Sequence, residues 1–269
     1  MFLLIGTIIT KNRAEKNKLM RLRFLYAVVV GALIATMSAC SSIYMPNVPA
    51  TPMFREQGEV YVAAHSNVKG NLSANAGVAF GKHLALIANG SYIDRGGERS
   101  NELFKQHLYE AGLGYFTTLG RDKRQVLEVY AGYGLGSSTE VDRRASTTGM
   151  AAVETRVMDF DKIFVQVNYS STRKNKLTLF GKDRDLNYGT AIRVSRVGMT
   201  DFTIDGFTRP KEEALFIEPL FYTRMELNKG FQLQYTNGFN FNVVDNEYLK
   251  AGNAVFTLGV IYSFGRKRK

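Results

Sequence analysis

The stretch GFQLQYTNGFNFNV, residues 230–243, consists of two interleaved faces. Taking alternate residues gives Phe231, Leu233, Tyr235, Asn237, Phe239 and Phe241 on one side, and Gln232, Gln234, Thr236, Gly238, Asn240 and Asn242 on the other. Successive side chains of a strand point to opposite faces, so a period of two marks a strand with one apolar and one polar surface. The fold turns on which surface is inside. A soluble sheet buries the aromatic face as its core, whereas a barrel standing in lipid turns that face outward and keeps the amides around an enclosed lumen.

The same split recurs from Gly58 onward, with no convincing 3.6-residue pattern. Tyr109, Ala111, Leu113 and Tyr115 oppose Glu110, Gly112 and Gly114, and Leu127, Val129, Ala131, Tyr133 and Leu135 oppose Glu128, Gly132, Gly134 and Gly136. Phe256, Leu258, Val260, Tyr262 and Phe264 oppose Thr257, Gly259 and Ser263. Ten strands are expected, at about 58–66, 71–80, 83–94, 107–118, 125–138, 160–170, 185–197, 214–227, 230–243 and 253–265, each near the length a tilted strand needs to cross a membrane. Connections alternate between short turns (GKH, LGRDKRQ, LNKG) and longer polar loops at 95–106, 139–159, 198–213 and 244–252. Short periplasmic turns, long external loops and an even strand count are the pattern of an outer-membrane barrel. Residues 171–184 are long for a periplasmic turn, and a strand pair hidden there would raise the count to twelve; eight is the other alternative.

A soluble sandwich should carry many Lys and Glu on its exposed faces. Here the polar faces use Gly, Asn, Gln, Ser and Tyr, and most Lys and Arg fall in loops. The expected fold class is therefore all-β, an up-and-down antiparallel transmembrane-type β-barrel with its aromatic stripes outward. A periplasmic, lipocalin-like soluble barrel is the alternative.

Composition removes other classes. The 269 residues hold one Cys, which has no partner within the chain, so a disulfide framework is excluded. The net charge of +11 invites a nucleic-acid reading, but six basic residues against one acid lie within residues 1–39 and Arg266, Lys267, Arg268 and Lys269 close the chain. The body between them is close to neutral and has no basic stripe interleaved with aromatics, so no nucleic-acid partner is expected.

MRLRFLYAVVVGALIATMSAC, from Met20, begins with Arg21 and Arg23, continues with about thirteen mostly apolar residues from Phe24 and ends in small residues, the layout of a secretory signal. Thirteen is short of the roughly 20 needed for a membrane-spanning helix. Met37-Ser38-Ala39-Cys40 resembles the lipobox of bacterial lipoproteins, which implies acylation of Cys40 after removal of residues 1–39. Met20 heads a complete signal by itself, so translation is expected to start there. Residues 41–57 hold three of the five prolines, Pro46, Pro49 and Pro52, and read as an extended tether after the lipidated cysteine. The expected organisation is signal peptide 1–39, lipidated Cys and tether 40–57, barrel 58–265 and basic tail 266–269. With the lipobox, tether, strand pattern and aromatic-ending last strand GVIYSF, the chain resembles small outer-membrane β-barrel lipoproteins. The resemblance implies a Gram-negative outer membrane, a lipid anchor at Cys40 and membrane lipid as the main partner. It departs from that pattern where Phe264 is followed by GRKRK.

By strand parity Glu59, Glu110, Glu128, Arg193, Glu218, Arg224 and Glu226 all face inward. Buried charges must be paired or hydrogen-bonded, so these seven are expected to form an ion-pair network that plugs a narrow lumen. Gly112, Gly114, Gly132, Gly134 and Gly136 share one face of neighbouring strands and should leave a hollow for long side chains reaching from across the barrel. Of the three histidines, His65 points inward at the outer rim, His107 has the opposite parity and His83 lies in a turn, so no metal site and no cofactor are expected. His65 and Ser66 are adjacent and face opposite ways. QYTNG, residues 234–238, loosely resembles the His-Tyr-Ser-Asn stretch of outer-membrane lipid A deacylases, but Gln234 and Thr236 stand where base and nucleophile belong. GYGLG, residues 132–136, lies mid-strand with no helix after it and is no phosphate loop. The reading is a non-enzymatic barrel lipoprotein, acting structurally or through external loops, with an envelope protein as a further candidate partner. A small channel or ligand-binding barrel and a lipid-modifying enzyme at the rim are the alternatives.

Overall fold

In the computed structural model, residues 43–265 are described apart from residues 68–69, 98, 148, 174–175, 180, 229 and 252–253. The segment expected as a signal peptide (1–39), Cys40 and the basic tail 266–269 lie outside the described residues. Among the described residues there are fourteen strands: β1 Val60–Ser66, β2 Asn71–Ala79, β3 Leu84–Arg95, β4 Glu102–Leu119, β5 Gln125–Ser146, β6 Gly149–Thr172 and β7 Leu177–Leu179 in the first half. The second half holds β8 Lys182–Arg184, β9 Leu186–Ile204, β10 Phe207–Thr208, β11 Glu213–Asn228, β12 Phe231–Phe239, β13 Phe241–Asn242 and β14 Ala254–Phe264.

Ten of these form one closed antiparallel ring. Neighbours run β1, β2, β3, β4, β5, β6, β9, β11, β12 and β14, and β14 pairs back onto β1 from Val60 with Phe264 to Ser66 with Leu258. Closure leaves the barrel without an unpaired edge, which a sheet in lipid requires because no water is there to satisfy an open row of N–H and C=O groups. Residues 171–184 do hold an extra pair, but β7 and β8 form a separate two-stranded ribbon outside the ring, so the barrel count stays at ten.

The face question is answered outward for the aromatics. Phe231 and Tyr235 are each 48% exposed and Leu113 is 61% exposed, while Gln232, Gln234 and Thr236 are buried in the lumen. Val62, Leu72, Leu86, Tyr109, Val165, Ile192 and Val260 continue the outward band around the ring. An apolar surface wrapped around a whole barrel exceeds by far the few hundred Å² that a soluble monomer exposes. It is the outer surface of a transmembrane-type barrel.

The two ends differ. At one end the connections are tight apart from the one that holds β7 and β8: 80–83, 120–124 and the turn before β12, where Gly230 adopts φ +80°, a conformation only glycine takes without strain. At the other end β5 and β6, of 22 and 24 residues, far exceed the ~9–11 residues of a tilted membrane strand. Much of 139–159, expected as a loop, is therefore a paired hairpin projecting beyond the barrel, held in register from Glu140 with Arg156 to Ser146 with Gly149.

Candidate functional site

The lumen is filled by the segment expected as a tether. Residues 43–55 form no strand of the ring and run inside the barrel, with Met53 in the left-handed region (φ 64°) before the turn at 57–58: Ile43, Tyr44, Val48, Ala50, Thr51, Met53 and Phe54 are all buried. The physical logic lies in the backbone. An extended segment without a strand partner has no ladder for its N–H and C=O groups, and inside a membrane protein those groups must find partners in the wall. Pro46, Pro49 and Pro52 remove three donors from that demand. Groups of the barrel wall meet several of the others.

These contacts form a sequence of rungs. At the long-hairpin end the Tyr44 N–H donates to the Lys250 carbonyl, and Gln106 clamps Met45 by accepting from its N–H at 2.8 Å and donating to its carbonyl at 2.6 Å. Next, Asn47 donates to Glu110 at 2.8 Å and accepts from Arg193 at 2.9 Å, and Asn75 donates to the Val48 carbonyl. Gln166 and Asn168 both donate to the Ala50 carbonyl, at 2.7 and 3.1 Å. Arg224 donates to the Thr51 carbonyl at 2.6 Å. Near the short-turn end, Glu128 accepts the N–H groups of Met53 (3.3 Å) and Phe54 (3.1 Å), and Arg55 bonds Glu59 through its N–H and Thr172 through its guanidinium.

Of the seven charged residues expected in one network, six line the lumen, divided into separate clusters. Glu110 and Glu218 pair with Arg193 and with Lys162, which bridges the two carboxylates at 3.1 and 3.2 Å. Two cations against two anions leave this cluster neutral, and Arg193 also lies 4.6 Å over the Phe164 ring. Glu128 stands apart, holding four donors: the two backbone N–H groups, Asn168 at 3.2 Å and Tyr130 at 3.1 Å. Arg224 lies between Tyr61 and Tyr222 and is fixed by Gln234 at 2.9 Å. Glu59 closes the short-turn end with Arg55. Glu226 is not in these clusters; it lies on the rim of the short-turn mouth, a vestibule of about 910 Å³ that Arg55, Glu59, Arg121, Lys182 and Arg184 also line. It is only half-buried because β11 passes out of the barrel through an irregular register at Glu226/Asn228.

Parity reasoning missed Lys162, which is fully buried. The signal was present, since Lys162 shares its face with Gln166 and Asn168 on β6. Asn47 and Thr51 had no such signal, because a segment outside the sheet has no parity to read.

The glycine hollow exists, and its filling comes from next door. A Cβ on Gly132 would come within 2.5 Å of Phe164, and one on Gly136 would strike Phe160. Both rings belong to the neighbouring strand β6, whose Phe164 and Phe160 stand directly opposite those glycines.

His65 is buried and inward, Ser66 faces out, His107 is exposed, and His83 lies in the turn with Nδ1 3.0 Å from the Phe116 carbonyl. Gln234 and Thr236 hydrogen-bond each other at 3.0 Å. Among the described residues no group of three or more His, Cys, Asp and Glu side chains is placed to hold a metal ion.

No family model matches the sequence, and no curated protein is similar to it. Solved structures similar to it include the translocator domain of autotransporter NalP from Neisseria meningitidis, with 12% identity and TM-score 0.38 over 77% of this chain and 86% of that one. Others are the siderophore receptor PirA from Pseudomonas aeruginosa (12% identity, TM-score 0.23, 80% and 44% covered) and CdiB from Acinetobacter baumannii (9%, 0.20, 77% and 59%).

Proposed function

We propose that the chain is an outer-membrane β-barrel lipoprotein, acylated at Cys40, whose lumen is closed by its own residues 43–57. It acts as a structural element or through the surfaces at its long-hairpin end, without catalysis. The observation that carries this reading is the match between the plug and the wall: polar side chains of the barrel bond the threaded backbone at level after level from Met45 to Arg55. A pore meant to conduct would not present its lumen-facing amides and charges to an internal segment of its own chain. The outward apolar band supplies the membrane half of the argument.

The test uses purified full-length protein. It should require detergent to remain in solution and should give no steady conductance in planar bilayers. A product that stayed monomeric and folded in plain buffer once stripped of acyl chains would refute the membrane reading, and a steady ion-permeable pore would refute the closed lumen. The vestibule at the short-turn end favours a second reading, a shallow binding cup for a small polar ligand. A compound co-purifying with the protein, and lost on Arg184→Ala, would support it. The rim-enzyme alternative gains nothing from His65 and Ser66, which face opposite sides of β1.

A further inference from the structure

We infer that the chain crosses the membrane plane eleven times, ten times as barrel strands and once as the segment 43–57 inside them, so that its amino-terminal side leaves the barrel at the long-hairpin face, opposite its carboxyl end. This rests on the membrane-embedded reading proposed above. An even number of strands alone brings both ends of a barrel to one face, as the pairing of Val60 with Phe264 shows here. The threaded segment adds an odd pass.

Its direction follows from the order of its contacts. Tyr44 bridges to Ala251, in the connection between β13 and β14 at the long-hairpin end, and packs between Phe160 and Phe216. From there the partners descend along the wall. On β4 they pass from Gln106 to Glu110, and across β5 and β6 they continue through Gln166, Asn168 and Glu128 to Thr172. Phe54 reaches Phe116 near the short turns. The chain then reverses: the Arg55 N–H bonds Glu59, Gly58 adopts φ +86° and bonds the Ala79 carbonyl, and β1 climbs back toward the long hairpins. From Tyr44 to Arg55 is eleven residue steps, about 36–40 Å when fully extended, enough for an apolar band of about 25 Å.

The consequence concerns the anchor. Three residues of backbone, at most about 11 Å, separate Ile43 from the lipobox Cys40. With the long hairpins outside, as is usual for such barrels, an acyl chain carried there enters the external leaflet. A tether hanging from the short-turn end would leave the amino end in the periplasm; the threaded path carries it to the other face. The kind of surface assigned to the amino end is thus the outer lipid face.

The experiment places single reporters for a membrane-impermeant thiol reagent in the full chain: Ser42→Cys beside the amino end, Ala152→Cys on the projecting hairpin and Asp122→Cys in a short turn. The unsubstituted chain, with only Cys40, is the background, and a short flexible epitope inserted between Ser41 and Ser42 is the second variant. In intact cells the amino-end reporters and Ala152→Cys should react or be bound, and Asp122→Cys should react only after the outer membrane is opened. Amino-end reporters protected together with Asp122→Cys while Ala152→Cys reacts would overturn the threading. All reporters reversed would overturn the assignment of faces. Recovery of the chain in the soluble fraction would sink the membrane reading itself, an outcome distinct from both.

Discussion

Glu128→Ala is the perturbation that isolates the plug from the barrel. The Glu128 carboxylate accepts four hydrogen bonds, two of them from the backbone of Met53 and Phe54. Deleting it leaves those two N–H groups buried with no acceptor, at about 1–3 kcal/mol each, so about 2–6 kcal/mol falls on the attachment of the threaded segment. The barrel itself keeps its ladder, because β5 remains paired with β4 from Gln125 to Asp142 and with β6 along its full length. Even the lower figure raises the population of a released segment roughly 30-fold. The assay is the open fraction in planar bilayers, read beside limited proteolysis at Arg55 and thermal unfolding of the same sample in detergent. Openings and Arg55 cleavage should increase while the unfolding transition moves little. Glu128→Gln, which keeps one acceptor oxygen, should fall between. A variant with unchanged closure and unchanged cleavage would refute the argument that wall side chains hold the plug.

Lys162→Met removes the cation that bridges Glu110 and Glu218 in a fully buried site and should cost about 3–5 kcal/mol; adding Glu218→Gln should recover part of it, and additive losses in a detergent unfolding series would contradict the coupling. Leu113→Arg, on the outward face near the middle of the barrel part of β4, should cost about 2–4 kcal/mol in lipid, whereas a negligible effect in a lipid-based unfolding assay would point to a surface that meets water. Gly259→Ala should lower thermal stability because the added Cβ strikes the His65 ring, approaching Cε1 to 2.5 Å. Since the three nearest atoms at that position all belong to the His65 ring, His65→Ala in the same chain should restore it, and failure to do so would place the clash elsewhere.

Alternation like that of Phe231, Leu233 and Tyr235 with Gln232, Gln234 and Thr236 was enough to mark the strands and to favour the outward aromatic face, while the count of ten waited for the ring closure that leaves β7 and β8 outside. Period-two patterning is a local property, and the choice between the two faces is decided by how little charge the polar one carries. The inward parity of Glu110, Glu128, Arg193 and Arg224 came from the same rule, and Lys162 obeyed it unnoticed. What the sequence left open was everything that depends on which remote groups meet. Pro46, Pro49 and Pro52 imply extended backbone wherever they are, and nothing in their spacing separates a tether in water from a thread through a lumen. The tertiary structure decided this, because only the closed wall brings Gln106, Glu110, Gln166, Arg224 and Glu128 around residues 43–57 in the order their backbone needs them. The expected single network became separate clusters for the same reason: Glu110, Arg193, Glu128, Arg224 and Glu59 each answer the stretch of threaded chain beside them.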